Sequence, residues 1–538
     1  MADRGTTLAR WWLPAGAGVA SVIVFAGVGE LAAALLASAS SPFAVVGSLL
    51  IDLAPPWAKD AAIALFGTND KAALLVGIAI VLLAVAAGAG VLEARRPPWG
   101  QVIFWAFGGV GVLAAMTRAN ASMLAFAPAA LAAIAGVVTL RLLIRRLPRS
   151  EAATPVSGAG LPRASGERGV DDDDERADAA GASPLDRRGF LLWAGGAAAI
   201  GALAAVGGYA LQAGSRAVTA VRQAIRLPDP VSSASIPAGA ELDLDGLSTY
   251  VTPNAQFYRI DTALAVPAVE PDDWSLRIHG DVEQEVVLTW KELLDLPLEE
   301  SVTTLACVSN EVGGGLIGNA VWLGYPIREL LARAVPSADA DMVLSRSIDG
   351  FTASTPLEVL QDDRNAILAV GMNGEPLPAE HGFPVRMVVP GLYGYVSATK
   401  WVTELEVTRF DAASAYWTDR GWSERGPVKL SSRIDVPRSG QSLSAGPVVV
   451  AGVAWHQHVG VEAVDVQVDD GPWQPATLAA AVSDDTWVQW RFDWDATSGG
   501  HTLRVRATGA DGEVQVSKQQ GVVPDGATGL DSRDVNVG

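Results

Sequence analysis

The stretch TTLACVSN, residues 303–310, contains Cys307, the single cysteine of the chain, and leads into the glycines Gly313-Gly314-Gly315. A single cysteine excludes an intrachain disulfide, a CxxC site and a cysteine-ligated iron–sulfur cluster. A free cysteine most often behaves as a small buried apolar residue, but its thiolate is also a nucleophile or a metal ligand. The spacing to the nearest histidines, His279 and His381, does not decide between these roles.

The composition of the whole chain narrows the class of protein to which it can belong. The 538 residues are 50% hydrophobic and 18% charged, with a mean hydropathy of +0.27, so membrane-spanning segments are expected. The net charge of −20 argues against nucleic-acid binding, which needs clustered Lys and Arg. All five histidines lie at or beyond His279, so the N-terminal part does not hold a haem between two of them. We expect no haem, iron–sulfur cluster or flavin on this chain.

Long apolar runs predict a four-helix transmembrane region over residues 1–146 and a fifth transmembrane helix over residues 187–212. Each run is close to the ~20 residues that cross a bilayer core. The runs cover residues 12–37, 72–92, 101–117, 122–143 and 190–211. Arginines cluster at alternate ends of these runs: Arg4, Arg10, Arg95, Arg96, Arg141, Arg145, Arg146 and Arg149. The positive-inside rule then predicts a multi-pass protein of the cell membrane, in contact with membrane lipid, with everything after about residue 212 on the extracytoplasmic side.

A polar segment, residues 147–186, separates the fourth run from the fifth. Its acidic run 171–175 has no apolar side chain to bury, which predicts a disordered linker. The following Arg187-Arg188-Gly189-Phe190-Leu191-Leu192 resembles a twin-arginine export signal. The alternative is that the two arginines only obey the positive-inside rule.

The sequence of the second half of the chain is typical of globular domains. Short helical and strand-like pieces over residues 225–425 predict an α+β domain. Alternating apolar residues such as Val464, Val466 and Val468 predict a β-sandwich of immunoglobulin-like type over residues 430–523, followed by a C-terminal tail over 524–538. His456 and His458 would share one face if the chain there is extended, but a metal site needs more ligands than these two.

Six motifs occur in a fixed order between residues 245 and 410. They are Thr252-Pro253-Asn254 with Phe257-Tyr258, Cys307 to Asn310, Trp322 to Pro326, Met372 to Pro378, His381 to Arg386, and Gly394 to Trp401. In this order they resemble the sulfite oxidase superfamily of molybdopterin enzymes, whose C-terminal domain the predicted β-sandwich also resembles. The resemblance covers roughly 300 residues and does not extend to the apolar helices.

The resemblance implies an oxygen-atom-transfer enzyme with a molybdenum-molybdopterin cofactor that has one pyranopterin. Cys307 then corresponds to the catalytic thiolate ligand of the metal. The cofactor-binding positions that match by motif are Asn254, Phe257, Tyr258, His381, Arg386, Ser397, Thr399 and Lys400. The substrate is a small molecule, and the electrons pass to or from a separate partner, because the chain carries no motif for a second redox centre.

The match fails at the positions that hold sulfite in the superfamily. Ile260 stands where an arginine is usual, with Arg259 one place earlier. Glu311 and Val312 replace a second arginine, and 370–371 (Val-Gly) replaces a tyrosine. Three alternatives therefore remain open: oxygen-atom transfer on another substrate, a sulfite dehydrogenase or S- or N-oxide reductase proper, and a non-catalytic membrane-tethered binding module.

Overall fold

The computed structural model describes residues 4–37, 40–53, 70–117, 123–147, 184–212, 221–263 and 266–538. The chain divides into two compact units, Met1–Ala213 and Gly214–Gly538. Most of the expected linker, residues 148–183, lies outside the described residues.

The N-terminal unit is helical in all its described elements except short turns. Its helices are α1 (Arg4–Leu36), α2 (Pro42–Leu53), α3 (Asp70–Arg95), α4 (Trp99–Met116), α5 (Ala127–Arg145) and α6 (Pro184–Gln212). Within the described residues five of them contain segments long and apolar enough to cross a membrane, at Trp11–Leu36, Ala73–Arg95, Trp99–Met116, Ala127–Arg145 and Arg188–Gly207. These segments overlap the five predicted runs, whereas the shorter α2 was not predicted.

Small residues bring α1 into close contact with α3 and α6. A Cβ added at Gly27 would lie 1.9 Å from the carbonyl oxygen of Gly201, so no larger residue fits at this crossing. A Cβ added at Gly18 would lie 1.8 Å from the carbonyl oxygen of Ala86 in α3. Close backbone approach at glycine is a common way for helices to associate in a membrane, where burying apolar surface gives little driving force.

One buried chain of polar groups connects three helices of this unit. The amide of Gln101, in α4, donates to Glu93 of α3 at 2.5 Å. The same side chain accepts a hydrogen bond from Nε of Arg141, in α5, at 2.5 Å. Glu93 and Gln101 are both buried. The sequence reading ended the second apolar run at residue 92 and so did not identify Glu93.

The first half of the C-terminal unit contains one mixed sheet, one antiparallel sheet and short helices. Sheet I has the order β2-β1-β10-β5-β6, with β1 (Ser275–Gly280), β2 (Val286–Thr289), β5 (Met342–Ser347), β6 (Thr352–Pro356) and β10 (Val402–Thr408). Sheet II has the order β3-β4-β7-β8, with β9 also paired to β7; its strands are β3 (Glu299–Ala306), β4 (Ile317–Pro326), β7 (Ile367–Met372), β8 (Glu375–Pro376) and β9 (Arg386–Val388). The helices are α7 (Trp290–Leu294), α8 (Ile327–Ala334), α9 (Leu357–Gln361) and α10 (Gly394–Ser397).

Local sequence explains these elements. Thr289 and Glu292 form a reciprocal capping box that starts α7, with the Thr289 side chain accepting from the Glu292 N–H and the Glu292 side chain accepting from the Thr289 N–H. Strand β3 is buried at six consecutive positions from Ser301 to Ala306, as in a strand covered on both faces. Because β3 ends at Ala306, Cys307 lies directly after this edge strand of sheet II.

The second half of the C-terminal unit contains two further sheets. Sheet III has the order β11-β13-β17-β16, formed by β11 (Ser431–Val436), β13 (Gly446–Trp455), β16 (Thr477–Leu478) and β17 (Val488–Ala496). Sheet IV has the order β12-β19-β18-β14-β15, formed by β12 (Ser442–Leu443), β14 (Val461–Val468), β15 (Gln474–Pro475), β18 (Gly499–Gly509) and β19 (Ser532–Val537). The alternating residues of the sequence lie in these strands, and Val464 and Val466 are in their shared core.

One boundary differs from the sequence-based expectation, and contacts cross another. Residues 524–538 are not simply a tail, because Ser532–Val537 forms β19 and pairs with β18. The predicted break near residue 430 is bridged by buried contacts: the Trp487 N–H donates to Thr304 Oγ1 at 2.8 Å, and its indole N–H donates to the Tyr250 carbonyl at 3.0 Å. Buried tryptophan of the second half thus packs into the first, a long-range contact that local patterning does not reveal.

Candidate active site

Cys307 opens onto a cleft in the first half of the C-terminal unit. The cleft has an empty volume of about 880 Å³, including the part open to solvent. It is lined by Phe257, Tyr258, Ile260, Asp261, Thr262, Cys307, Val308, Ser309, Ser347, Asp349, Phe351, His381, Arg386, Gly394, Tyr395, Ala398, Lys400, Trp401, Trp417 and Trp422. Six of the nine residues predicted from motifs therefore line one cavity.

A tight loop fixes the position of Cys307. Its N–H donates to the carbonyl of Leu316 at 2.9 Å, and its carbonyl accepts from the N–H of Asn310 at 3.0 Å. The Asn310 side chain in turn accepts from the N–H of Leu316 at 2.8 Å, which closes the loop. A Cβ at Gly314 would lie 2.6 Å from Asn310 Oδ1, so the glycine run after the cysteine leaves room for this closure.

The surroundings of the Cys307 thiol favour its neutral form when no cation is bound. Burial raises the pKa of Cys307, and hydrogen bonds from the main chain and hydroxyl of Ser309 oppose this shift only in part. A bound metal ion reverses this preference, because a coordinating thiol loses its proton. The Ser309 donors are therefore placed to stabilise a thiolate that a metal would create.

Arg386 is a buried cation without an acidic partner. Its guanidinium donates to the main-chain carbonyls of Met387, His381 and Ala398 at 3.3, 3.1 and 3.4 Å, and it forms no ion pair with a carboxylate of the described residues. Burial lowers the pKa of Arg386 to about 10, so it stays charged at neutral pH. A buried charge of this kind is costly unless an anion compensates it. The cleft is thus prepared for an anionic group.

Lys400 is also buried, but its charge is compensated. Its ammonium donates to Oδ2 of Asp261 at 2.7 Å and to the carbonyl of Glu380 at 3.0 Å. Burial lowers the pKa of Lys400 to about 8, although Asp261 acts in the opposite direction. Arg259 pairs with the same carboxylate oxygen at 2.8 Å from the exposed side. Asp261 was not identified from the sequence.

His381 is held as a neutral imidazole beside Arg386. Its Nε2 lies 3.1 Å from the carbonyl oxygen of Asn254. Burial, together with the nearby charges of Arg386 and Lys400, lowers the pKa of His381 to about 4. Phe257 packs edge-on against its ring at a centroid distance of 5.5 Å. Asn254 itself does not line the cleft; its main chain positions the histidine.

Two aromatic residues follow Asn254 along the chain. The rings of Phe257 and Tyr258 stack with centroids 5.2 Å apart. Burial raises the pKa of Tyr258, the nearby Cys307 adds to that effect when its thiol is ionised, and Arg386 opposes it. The Tyr258 hydroxyl therefore remains protonated and close enough to both groups to feel their charges.

Ser397 and Thr399 lie behind the cleft rather than in its wall. The Ser397 hydroxyl donates to the carbonyl of Tyr393 at 3.0 Å. The Thr399 hydroxyl is 2.7 Å from that of Ser345 in β5. Both hydroxyls bond to groups of the protein, and neither residue lines the cavity. Only the main chain around them is left as a possible source of hydrogen bonds to a cofactor.

Four aromatic side chains that the sequence does not predict also line the cleft. They are Phe351, Tyr395, Trp417 and Trp422. The Trp417 and Trp422 rings contact each other edge-on at 6.2 Å, and Trp422 also contacts Tyr395 at 5.9 Å. Trp417 and Trp422 come from the loop after sheet I, where no repeat or motif marks them.

The departures from the sulfite-binding pattern are visible in this geometry. Ile260 lines the cleft, whereas Arg259 does not. The stretches 311–312 and 370–371 do not contribute to the lining either. Among the described lining residues the only arginine and lysine are Arg386 and Lys400, and the acids Asp261 and Asp349 line the same cleft.

Comparison with known proteins agrees with the cleft. A family model described as an oxidoreductase molybdopterin binding domain matches residues 263–417. An uncharacterized oxidoreductase of Bacillus subtilis, YuiH, is 31% identical over 153 residues, which cover 28% of this chain and 74% of that protein. The chain belongs to the sulfite oxidase superfamily of molybdopterin-dependent oxidoreductases.

Other proteins are similar to this chain over larger parts of it. Human mitochondrial sulfite oxidase is 32% identical over 273 residues, covering 43% of this chain and 49% of that protein. The chain thus spans about half the length of the first curated relatives it matches. The sulfane dehydrogenase SoxCD from Paracoccus pantotrophus aligns in structure with a TM-score of 0.47 and 23% identity, over 58% of this chain and 90% of that one.

The residues present fit a molybdenum-molybdopterin group. The cofactor has a metal that accepts a thiolate and a phosphate that carries negative charge, and the cleft offers the only thiol of the chain and a buried guanidinium without an acidic partner.

Proposed function

We propose that the protein is a membrane-anchored oxidoreductase that transfers an oxygen atom to or from a small molecule at a molybdenum bound by Cys307. The observation that carries this proposal is the shared cleft of the Cys307 thiol and the uncompensated Arg386 guanidinium. When bound, the molybdenum cofactor with a single pyranopterin would supply a metal centre that exchanges an oxygen atom while accepting or releasing two electrons.

The side chains of the cleft take distinct parts in this proposal. Cys307 ligates the metal, with Ser309 donors stabilising its thiolate. Arg386 binds the cofactor phosphate and thereby loses its unpaired state, while His381 presents a neutral ring beside it. Asn254 and Phe257 hold His381 in place, and Tyr258 keeps its proton near the metal ligand.

Lys400 has a smaller part than the superfamily pattern implies. Its ammonium already pairs with Asp261, so the pair contributes little net charge to an incoming anion. The main chain around Ser397 and Thr399 borders the same region and would add hydrogen bonds to the cofactor rather than to the substrate.

The substrate we propose is a neutral S- or N-oxide, or its reduced form, rather than sulfite. Once Arg386 is bound to the cofactor phosphate, no unpaired cation remains among the described lining residues to hold a dianion. Aromatic residues such as Phe351, Trp417 and Trp422 instead provide an apolar wall. A pocket that must stabilise an oxyanion needs preorganised positive groups or donors, and here Asp349 faces it instead.

Placement in the membrane follows from the helical unit. Arg95 lies over the ring of Trp11 at 3.4 Å, and Arg146 lies over Trp193 at 3.8 Å. These contacts join helix ends that carry the arginines, as expected if those ends share the cytoplasmic side. We therefore propose that the helix after Arg187-Arg188 crosses outward as part of a twin-arginine signal and leaves the C-terminal unit outside the cell.

Two further parts of the proposal concern the surroundings of the cleft. Sheets III and IV would form the immunoglobulin-like sandwich that the alternating residues predict. The two electrons of each turnover would leave to, or arrive from, a separate electron-transfer partner.

The test is purification of the full chain in detergent, followed by metal and pterin analysis and by assays with an artificial electron donor or acceptor. We expect about one molybdenum per chain, turnover of a neutral sulfoxide or amine N-oxide, and little or no oxidation of sulfite. Faster turnover of sulfite than of any neutral oxide would overturn the substrate class. Cofactor binding without turnover of any of these compounds would favour a non-catalytic module.

A further inference from the structure

A cluster of three potential metal ligands lies in the second half of the C-terminal unit. His456, Asp511 and Glu513 place one nitrogen and two carboxylate oxygens within 4.8 Å of one another. None of the three lines the cleft around Cys307. The sequence predicts a shared face for His456 and His458 only if the chain there is extended, but β13 ends at Trp455 and His458 pairs with Asp485 instead.

The decisive atom of the cluster is Nδ1 of His456. The side chain is 93% buried, and within the described residues Nδ1 has no hydrogen-bond partner. A buried imidazole nitrogen without a partner is costly, because it has left water without replacing its hydrogen bond. A bound ion would remove this cost.

Glycine keeps open the space in front of that nitrogen. A Cβ built on Gly509 would lie 2.6 Å from Nδ1 of His456 and 2.6 Å from Oδ1 of Asp511. The vacant position at Gly509 therefore faces both donors at once. Zinc–nitrogen and zinc–oxygen bonds are about 2.0–2.2 Å long, so a small adjustment of the exposed carboxylates brings all three ligands into range.

Two hydrogen-bonded turns carry the ligands. The carbonyl of His456 accepts the N–H groups of Val459 and Gly460 at 3.0 and 2.8 Å, directly after β13. On the other side, the N–H of Gly509 donates to the carbonyl of Glu513 at 2.8 Å, directly after β18. Because β13 belongs to sheet III and β18 to sheet IV, an ion here would join the two sheets.

We propose that His456, Asp511 and Glu513 form a site for a divalent transition-metal ion of zinc type that fastens sheet III to sheet IV. One imidazole with two carboxylates suits zinc better than calcium or magnesium, which prefer oxygen ligands throughout. Asp511 and Glu513 are exposed, so a fourth position is open to water. The site is separate from the proposed molybdenum centre and does not depend on it.

The test is a zinc titration of the purified full chain, carrying a tag without histidine and stripped with a chelator. We expect one zinc per chain, a rise in melting temperature with zinc, and no comparable rise with calcium. Glu513→Gln and Gly509→Ala, which respectively remove an exposed ligand and fill the ion position, should each weaken binding by roughly tenfold or more. His456→Ala should weaken it at least as much.

Controls separate this site from other zinc ligands. His501→Ala removes a histidine of the same half that pairs with Asp469 instead, and it should leave zinc affinity unchanged. Cys307→Ser removes the only thiol and should also leave it unchanged. The proposal is overturned if the unaltered chain binds no zinc, or if Glu513→Gln and Gly509→Ala bind it as tightly as the unaltered chain.

Discussion

The two units of the chain treat buried charge differently. In the helical unit the Glu93 carboxylate and the Arg141 guanidinium are joined through the amide of Gln101, so each polar group has a partner within the protein. In the cleft the Arg386 guanidinium donates to main-chain carbonyls and lies 5.0 Å from the Trp322 ring centroid, with no carboxylate partner among the described residues. A closed network needs nothing further, whereas an open one indicates where a ligand of opposite charge belongs.

The same contrast exists within the cleft itself. Lys400 and Arg386 are both buried and lie close together, yet only Lys400 has a carboxylate partner, Asp261. Substitutions of these residues should therefore have opposite signatures. Breaking the pair of Lys400 and Asp261 should change stability, and substituting Arg386 should change cofactor binding.

The largest effect is expected in the cleft, at Cys307. Cys307→Ser should lower turnover by about a hundredfold or more, because a metal ligand is lost while the fold is kept. Turnover per chain measured with the preferred oxide tests this expectation. The neighbouring Val308→Ala, which leaves the thiol in place, serves as the control; unchanged turnover in Cys307→Ser would show that the thiol is not needed.

The second effect concerns Arg386. Arg386→Met should reduce the pterin content of purified protein by roughly tenfold or more, because charged hydrogen bonds to the phosphate are lost. The free energy of unfolding of cofactor-free protein should change by less than about 2 kcal/mol, since an uncompensated buried charge is removed. Arg364→Met, at an arginine already paired with Asp362, should keep the cofactor. Full pterin content in Arg386→Met would contradict the assignment.

The third effect is a loss of stability, expected when Asp261 is substituted. Asp261→Asn should lower the free energy of unfolding by about 3 kcal/mol, because Lys400 is left buried without its carboxylate. Denaturant titration of cofactor-free protein measures this loss. The double substitution Asp261→Asn with Lys400→Met should recover much of it. Equal stability of the Asp261→Asn and unaltered proteins would mean that the pair is not a closed network.

The fourth effect depends on pH. The pKa of His381 in the folded chain, about 4, lies below its ordinary value of 6.5, so the unfolded chain takes up a proton first as the pH falls. Stability is therefore lost between about pH 6.5 and pH 4, by on the order of 3 kcal/mol at the acid end. His381→Gln should lack this part of the decline in unfolding experiments across the range. Parallel curves for the two proteins would show that His381 titrates normally.

The smallest effect is expected in the helical unit. Gln101→Leu should lower the free energy of unfolding of the detergent-solubilised chain by only about 1 kcal/mol, because hydrogen bonds between membrane helices are individually weak. Pterin content and turnover should not change. Val102→Leu, at an exposed neighbour on the same helix, is the control. A loss of cofactor in Gln101→Leu would remove the distinction between the two regions.

Local patterns in the sequence predicted much of the fold. Apolar runs of membrane length located the five long helices, and alternation of Val464, Val466 and their neighbours located strands, because both signals depend on residues a few positions apart. The strand β19 was assigned to a tail, since its single short alternation gains meaning only by pairing with β18.

The candidate site was predictable only where motifs carry it. Cys307, His381 and Arg386 were identified through family motifs and line one cleft. Asp261 was missed because it meets Lys400 across 139 positions of sequence. The aromatic wall with Trp417 was missed for the same reason: tertiary contacts place it there, and nothing in its local sequence indicates a function.

The most direct test of the central claim is molybdenum K-edge X-ray absorption of the purified full chain and of Cys307→Ser. If Cys307 ligates the metal, the spectrum of the unaltered protein contains one more sulfur scatterer at bonding distance than that of the variant. Identical sulfur coordination in two proteins with equal molybdenum content would contradict the account.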